Sequence, residues 1–156
     1  MNPRTALLDL DGVICDDRHR VDYALRRDWG TYFGLMGDDA VWRQGRELYE
    51  ACTITGWDVA YLTGRRDQFR GHTRRWLKQH GFDADLPLLM RPDDSSTRLA
   101  VFKAGIVADM LRDYEALMLY DDDPEVIKVV GQVQGVGVRH CTWHVKPERM
   151  VKKALS

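Results

Sequence analysis

The chain has no excess of either charge, few cysteines and prolines, and no long hydrophobic run. Its 156 residues include 3 Cys and 5 Pro, and 23 Lys and Arg stand against 24 Asp and Glu, for a net charge of −1. The near-neutral balance argues against a strongly basic module that coats nucleic acid and against a highly charged disordered tail. Three widely spaced cysteines, Cys15, Cys52 and Cys141, do not fit a secreted disulfide framework or a CxxC zinc site. We therefore expect reduced thiols.

Membrane and multidomain organisation are also not indicated. The only apolar stretch near the start covers residues 5–10, and Asp9 interrupts it, so it predicts neither a signal peptide nor a membrane span. We expect a cytoplasmic protein with no membrane partner. Because the sequence has no internal repeat, low-complexity tract or flexible linker, it predicts a single domain over residues 1–156.

Short apolar runs alternate with longer amphipathic segments, which is typical of βαβ units that build a parallel sheet. The expected fold class is α/β, with a five-stranded, mostly parallel sheet flanked by helices. The five predicted strands are residues 5–10, 58–62, 86–90, 116–120 and 137–141.

Helical spacing of apolar residues predicts the connecting helices. The first follows a cap at Asp38 or Asp39 and runs through residues 41–52. The others open at Asp67, within residues 95–97, at Pro124 and, for a short terminal helix to residue 155, at Pro147. Residues 16–37 form a longer connection than usual between a strand and a helix, and are either a functional flap or partly helical.

Carboxylates follow two of the predicted strands. Asp9 and Asp11 are two residues apart, so their side chains point the same way from an extended chain, and Gly12 permits a sharp turn. Asp121, Asp122 and Asp123 follow the fourth run. Singly, such residues are more often helix caps or turn formers. Together they converge on the sheet edge where parallel sheets bind ligands, and like charges there require a cation or a shared proton.

Oxygen ligands without His or Cys favour Mg²⁺, which leaves coordination positions open for phosphate oxygens. Spacing does not decide which of Asp121, Asp122 and Asp123 binds the metal, although the apolar run that ends at Tyr120 favours Asp121. Thr63 with neighbouring backbone N–H groups could bind the same phosphate, and Lys103 could bring a compact positive charge to it. A lysine on an amphipathic helix is, however, usually solvated.

At these residues the sequence resembles the haloacid dehalogenase (HAD) superfamily of phosphohydrolases. The match consists of the DxDG motif at residues 9–12, Thr63-Gly64-Arg65, Lys103 and the pair Asp121-Asp122. The resemblance implies a Rossmann-like fold in which Asp9 attacks phosphorus and Asp11 protonates the leaving oxygen and later activates water. It also implies that Thr63 and Lys103 hold the phosphoryl group. The implied Mg²⁺ ligands are Asp9, the backbone carbonyl of Asp11, and Asp121, with Asp122 as a supporting or alternative ligand.

A narrower resemblance is to the phosphatase half of phage-type polynucleotide kinase/phosphatases, which remove 3′-phosphates from nucleic acid ends. It is carried by residues 18–20, 28–29, 32–33, 61–65, 88–92 and 120–122. It implies a phosphorylated nucleic acid end as substrate. The segments between the motifs leave room for a minimal cap or none. Because no GxxxxGK[ST] loop occurs, we do not expect ATP-dependent 5′-phosphorylation by this chain. A separate kinase or ligase partner could supply such an activity.

Several side chains could bind such a substrate. Gly64 and Arg65 directly follow Thr63, and Arg18 and His19 lie just beyond the nucleophile's loop. Further cations are Arg20, Arg66, Arg70, Arg74 and Arg75, and Trp29 or Tyr32 could stack on a terminal base. The alternatives are a solvated helix face for the helical arginines and local core for Trp29, Tyr32 and Phe33.

Two other functions stay open. The same chemistry could act on nucleotides or other small phosphomonoesters. The fold could also serve as a binding module without catalysis, although such a module has no need for a nucleophile and its acid partner together.

Overall fold

A computed structural model describes residues 4–143. The strands are β1 (Arg4–Leu8), β2 (Cys15–Asp16), β3 (Ala40–Val41), β4 (Asp58–Arg66), β5 (Leu88–Arg91), β6 (Ala116–Asp121) and β7 (Val136–His140). The α-helices are α1 (Val21–Leu25), α2 (Trp29–Gly34), α3 (Arg43–Ile54), α4 (Arg70–Gln79), α5 (Leu99–Met110) and α6 (Pro124–Val130). Short 3₁₀ helices cover Met36–Asp38 and Asp67–Phe69. None of the described helices is long and apolar enough to cross a membrane.

The main sheet has five strands in the order β5-β4-β1-β6-β7, and all four neighbouring pairs are parallel. The α/β class and the five-stranded sheet are therefore confirmed. Strand β1 ends at Leu8, earlier than the apolar run suggests, and β4 continues to Arg66, because its pairing with β5 extends past the apolar residues.

Alternation along the strands supplies a core on each face of the sheet. In β1, Ala6 and Leu8 face one cluster, which includes Trp76 of α4, while Leu7 faces the other, with Val107 of α5. Strands buried on both faces read as nearly continuous apolar runs, which is why the sequence displays them clearly. All three cysteines are free and buried, as expected.

The predicted helix starts fare unevenly. Pro124 does open α6, and the Asp123 side chain caps it by accepting a bond from the Glu125 N–H. By contrast, neither Asp38 nor Asp39 caps α3, whose N-cap is Trp42 and has no side-chain cap bond. Asp39 does not cap this helix because its carboxylate is buried in ion pairs, which are described below. The helix expected from Pro147 lies outside the described residues.

The connection between β1 and α3 is partly helical, as one of the two interpretations holds. It contains α1 and α2, and its two ends are joined where β2 and β3 pair antiparallel, with Cys15 opposite Val41. A small insert of this kind agrees with the expectation of a minimal cap.

Helix α3 packs directly on the loop that follows Asp11. A Cβ added to Gly45 would overlap the Val13 carbonyl oxygen and lie 2.9 Å from Ile14 Cα. Because backbone atoms cannot give way as a side-chain end can, this close approach requires glycine. Helix α3 thereby supports the loop at Val13 and Ile14 through direct contact with its backbone.

We expect Gly45→Ala to destabilise the protein by about 1–3 kcal/mol, because the new methyl group overpacks a backbone contact. Gly105→Ala is the matched control: Gly105 also lies within a helix, but nothing stands within 4 Å of its added Cβ. That substitution should stabilise the protein by about 0.5–1 kcal/mol through helix propensity. Urea unfolding of both variants measures the difference, and equal effects would contradict the packing argument.

Candidate active site

Three carboxylates meet at the carboxyl edge of the sheet. Leu8 is the register partner of Tyr120, and the Asp9 N–H donates to the Tyr120 carbonyl at 3.0 Å. The following residues of the two strands, Asp9 and Asp121, are therefore neighbours. Carboxylate oxygens of Asp9, Asp121 and Asp122 all lie within 4.8 Å of one another. The parallel pairing of β1 and β6 thus brings together residues that are more than a hundred positions apart in the sequence.

Lys103 reaches this cluster from α5 and is not solvated. Its side chain is buried, and its Nζ donates to Asp9 Oδ1 at 3.0 Å and to Asp121 Oδ2 at 2.5 Å. Burial by itself would lower the pKa of Lys103, but the charges of Asp9 and Asp121 outweigh it and raise that pKa. The lysine therefore stays charged beside the expected nucleophile.

One lysine does not balance three carboxylates. Burial, and then the charge of Asp121, raise the pKa of Asp9 well above its usual range. Burial likewise raises the pKa of Asp122 to about 7. Lys103 lowers both pKa values but does not outweigh burial and the repulsion between the carboxylates. A divalent cation with a preference for oxygen ligands fits this donor set, since it would stabilise the ionised form of all three carboxylates.

Gly12 keeps Asp122 in the cluster. Its φ of +86° is in the region that favours glycine, and an added Cβ would overlap the Asp122 carboxylate. Asp123, in contrast, caps α6 with its carboxylate, and its N–H donates to Asp121 Oδ1 at 3.0 Å. Of the three acidic residues in the sequence run, the structure thus groups Asp121 and Asp122 with Asp9.

Asp11 points into a second charged cluster, formed with two buried arginines. Arg20 Nη2 donates to its Oδ1 at 2.6 Å, and Arg65 donates to both oxygens, through Nη2 at 2.7 Å and Nε at 3.1 Å. Burial opposes ionisation, but the charges and hydrogen bonds of Arg65 and Arg20 outweigh it and hold the pKa of Asp11 below its usual range. Asp11 is therefore an ionised carboxylate in the substrate-free protein.

Asp39 completes that cluster and was missed as a functional residue by sequence reasoning. Its buried carboxylate accepts from Arg20 Nε at 2.7 Å and Nη2 at 2.6 Å, and Arg65 Nη2 lies 3.5 Å away. Asp39 lies 19 residues from Arg20 and 26 from Arg65. No local spacing pattern could have revealed these pairs. We call Asp11, Arg20, Asp39 and Arg65 the arginine–aspartate cluster.

The structure brings some of the expected phosphate ligands to the site and not others. Gly64 lines the cleft above Asp9, and Thr63 is buried, where its Oγ1 accepts from the Arg65 N–H. Arg65 also borders the cleft, but each guanidinium nitrogen already has a protein partner, including Thr73 Oγ1 at Nη1. The Arg65 guanidinium is therefore arranged to position Asp11, and it has no nitrogen without a protein partner to offer a substrate.

Arg18 and His19 are not brought to the cleft. Arg18 pairs with Asp16 and lies over the Trp42 ring, 4.3 Å from its centroid. His19 Nε2 lies 2.7 Å from Asp39 Oδ1. These positions arise because the residues between β2 and α1 turn toward the arginine–aspartate cluster.

Helix α2 forms one wall of the cleft, whose volume is about 460 Å³. Trp29, Tyr32 and Phe33 line it opposite Lys103. Tyr32 is buried and its hydroxyl donates to Asp17 Oδ2 at 3.2 Å, whereas Trp29 is 50% exposed. Tyr32 therefore belongs to local structure, and Trp29 offers an open ring face.

Two of the three arginines of α4 serve the fold. Arg70 donates to the Leu88 carbonyl at 2.7 Å, and Arg74 donates to the Ala84 carbonyl. Both tie the helix to β5 and the segment before it. The third, Arg75, is exposed, as the alternative of a solvated helix face expects.

We expect Asp39→Asn to lower the free energy of unfolding by about 3–5 kcal/mol, because it leaves buried arginine charge without its partner. Asp67→Asn is the control, since it also removes a carboxylate that binds one arginine through two nitrogens, but on the surface. Its cost should stay below about 1 kcal/mol. Urea unfolding compares the two variants, and a similar midpoint for both would contradict the importance of burial.

Comparison with known proteins identifies the family. Residues 3–142 match the model of the polynucleotide kinase PNKP phosphatase domain. A search of curated proteins gave no match. Among solved structures, the chain resembles the one described as the Pnkp1/Rnl/Hen1 complex, with a TM-score of 0.73, 21% identity and coverage of 89% of this chain and 46% of that one.

Further structural neighbours have the same fold at lower identity. A hydrolase from Streptococcus pneumoniae TIGR4 has a TM-score of 0.59 and 11% identity, with 99% of each chain covered. A class C acid phosphatase from Bacillus anthracis has a TM-score of 0.57 and 13% identity, with 90% of this chain and 68% of that one covered. The chain spans less than half of the Pnkp1 chain it matches. Through the family match over residues 3–142, the chain belongs to the PNKP phosphatase-domain family of HAD phosphatases.

Proposed function

We propose that the protein is a Mg²⁺-dependent phosphomonoesterase that uses Asp9 as nucleophile and removes 3′-phosphates from nucleic acid ends. The observation that carries the proposal is the position of Asp9 at the floor of the cleft. There it is paired with buried Lys103 and grouped with Asp121 and Asp122, in a chain of the PNKP phosphatase family.

In the first step, an Asp9 carboxylate oxygen forms a bond to phosphorus as the bond to the leaving oxygen breaks, giving an aspartyl-phosphate. The leaving oxygen takes a proton from Asp11. In the second step, Asp11 accepts a proton from water as that water attacks phosphorus, and Asp9 is released with inorganic phosphate. The same carboxyl group thus gives a proton and then takes one back.

The ionised state of Asp11 in the free protein matches the second of these steps. For the first step, Asp11 must carry a proton in the presence of substrate. A phosphate dianion entering the cleft supplies the cause, since negative charge close to a carboxylate raises its pKa. Arg20 and Arg65 hold the ionised carboxylate in position in the substrate-free protein.

Lys103 offsets the charge that would otherwise keep a phosphate dianion away from Asp9, and Thr63 and Gly64 would bind the phosphoryl oxygens. The carboxylates of Asp9, Asp121 and Asp122 and the backbone carbonyl of Asp11 would hold Mg²⁺, which when bound neutralises phosphate charge. The close grouping of three of these carboxylates beside a single lysine supports that assignment.

A nucleic acid end as substrate is supported by the cleft's small lid. Within the described residues 4–143, the insert with α1 and α2 is the one small element beside the sheet and its helices that lines the cleft, which supports an approach for a polymer. The structural neighbour Pnkp1 occurs in a complex described as an RNA repair complex with Rnl and Hen1. A separate kinase or ligase partner for this chain is part of the proposal.

A nucleotidase is the second candidate. It is favoured by the cleft volume, since about 460 Å³ is the size of pocket that holds a small ligand. Both candidates share the Asp9 chemistry and differ in the leaving group.

We expect Asp9→Asn to reduce phosphate release by about a thousandfold or more, because the amide is not a nucleophile. Asp11→Asn should reduce it by about 10²–10⁴-fold, the usual share of general acid–base catalysis. The assay measures phosphate released from matched oligonucleotides with a 3′- or a 5′-phosphate and from mononucleotides.

The surface variant Asp67→Asn is the control for that assay and should retain wild-type turnover. Undiminished activity of purified, folded Asp9→Asn would contradict the mechanism. Preference for mononucleotides would favour the nucleotidase, and no release from any substrate would favour a binding module.

Removal of divalent cations should abolish turnover, and added Mg²⁺ should restore it. Mg²⁺ should also raise the melting temperature of the wild-type protein, since a ligand that binds the folded state stabilises it. We expect Asp121→Asn to lose most of that thermal shift, while Asp67→Asn keeps it. Full activity in EDTA, or an equal shift in Asp121→Asn, would contradict the assignment of the metal site.

A further inference from the structure

A second concave surface, which we call the groove, adjoins the cleft and has a volume of about 630 Å³. Trp29, Phe33, Gly64 and Arg91 line both the cleft and the groove, so the two are adjacent. Arg66 and Phe69 line the groove but not the cleft. The groove is therefore within reach of a substrate that fills the cleft and extends beyond it.

One wall of the groove is aromatic. The rings of Trp29 and Phe33 are 6.2 Å apart with an interplanar angle of 28°, and those of Phe33 and Phe69 are 4.8 Å apart at 22°. Three nearly parallel rings thus follow one another along the wall. Trp29, at its outer end, is a large aromatic side chain with half of its surface exposed, which is the kind of face on which a nucleobase stacks.

Two arginines lie across from each other on the strands that form the floor. Arg66 of β4 and Arg91 of β5 are register partners. Arg66 Nη1 donates to the carbonyls of Pro92, Asp93 and Ser95, and Arg91 donates to the Thr97 carbonyl. Within residues 4–143, no carboxylate forms a salt bridge with either one.

This pair differs from the arginines of the arginine–aspartate cluster, which are matched by carboxylates. Arg91 Nε is buried and has no hydrogen-bond partner in the structure. Burial, and then the positive charge of Arg66, lower the pKa of Arg91. Two adjacent guanidinium groups that line the groove without a carboxylate partner are suited to an anion with several acceptor oxygens.

We infer that the groove binds the nucleotide that precedes the phosphorylated end, with Arg66 and Arg91 on its internal phosphodiester and Trp29 on a base. The inference rests on the proposed function and adds to it a binding subsite for the preceding nucleotide. When the terminal phosphate occupies the cleft, the next phosphate along the strand is one nucleotide away. The neighbouring surface is the groove, with its unmatched arginines and aromatic wall.

A mononucleotide has no internal phosphodiester and leaves the arginine pair unused. The protein should therefore distinguish an oligonucleotide end from a nucleotide through contacts outside the catalytic cleft. This selectivity depends on charge as well as on stacking, since the two kinds of contact lie side by side in the groove.

The test compares kcat/KM for thymidine 3′-monophosphate, for the 3′-phosphorylated thymidine dinucleotide, and for the same dinucleotide with an uncharged methylphosphonate linkage. We expect the charged dinucleotide to exceed the mononucleotide by about tenfold or more, the size of a stacking and charge contact. The methylphosphonate should lose most of that advantage. This comparison uses the wild-type protein and does not depend on the folding of any variant.

Variants then assign the contacts. Arg66→Gln and Arg91→Gln should lower the ratio of charged dinucleotide to mononucleotide, while the uncharged dinucleotide shows little further loss. Trp29→Leu should lower the ratio for both dinucleotides. Arg43→Gln is the matched control, because Arg43 is exposed on α3 outside the groove, and its ratio should equal that of the wild type.

Equal kcat/KM for all three substrates would overturn the inference and leave the proposed phosphatase intact. An unchanged ratio in both Arg66→Gln and Arg91→Gln would also overturn it. If p-nitrophenyl phosphate is hydrolysed but none of the three nucleotide substrates is, the proposed substrate class fails and the inference falls with it. The two failures are thus distinguishable.

Discussion

Repulsion between carboxylates at one sheet edge is the constraint on which this structure depends. Strands β1 and β6 are parallel neighbours, so their carboxyl ends carry Asp9 and Asp121 to the same place. Buried carboxylates that repel one another must be matched by cations or lose their charge. The chain matches Asp9 and Asp121 with Lys103, and Asp11 with Arg20 and Arg65. Cations that would ordinarily be at the surface are therefore buried.

The arginine–aspartate cluster also joins the insert to the sheet. Arg20 comes from the residue before α1, Arg65 from the end of β4, and Asp39 from the segment before β3. The Arg20 guanidinium lies 4.2 Å from the centroid of the Tyr32 ring in α2. The helix that supplies the aromatic wall of the cleft is thus positioned through the same arginine that holds Asp11. The same ion pairs hold the Asp11 carboxylate and the insert that contains α2. A change in the charge of Asp11 therefore affects both the proposed catalytic group and the position of the insert.

The features that sequence reasoning predicted are those with a local signal. Apolar runs gave the five strands, and acidic residues just past two of them gave a carboxylate site at the sheet edge. Lys103 needed the resemblance to the HAD superfamily, since its own surroundings in the sequence also suit a solvated helix face. The structure brings it to Asp9 from 94 residues away.

The features that sequence reasoning missed have no local signal. Asp39 has the spacing of a helix cap, but its partners Arg20 and Arg65 are on other elements. Arg65 directly follows Thr63 and Gly64, which were expected to bind phosphate, and that position favoured a contact with substrate. In the fold, the strand continues through Arg65 and turns its side chain toward Asp11 and Asp39. Pairing across 54 residues decided its position, and no window of sequence contains both partners.

Net charge is a poor guide to how this protein attracts an anion. The chain carries a charge of −1 overall, and most of its buried arginine and lysine charge is cancelled by aspartates within hydrogen-bond distance. What counts is the charge that is left unmatched at the surface of the cleft and the groove. The carboxylate cluster at Asp9 leaves an excess of negative charge that suits a cation. The pair of Arg66 and Arg91 leaves an excess of positive charge a short way along the same surface. In the proposed function, the carboxylate cluster would hold the cation that receives the terminal phosphate, and the arginine pair would contact the phosphate one nucleotide back. Such a local arrangement requires no excess of basic residues in the chain as a whole.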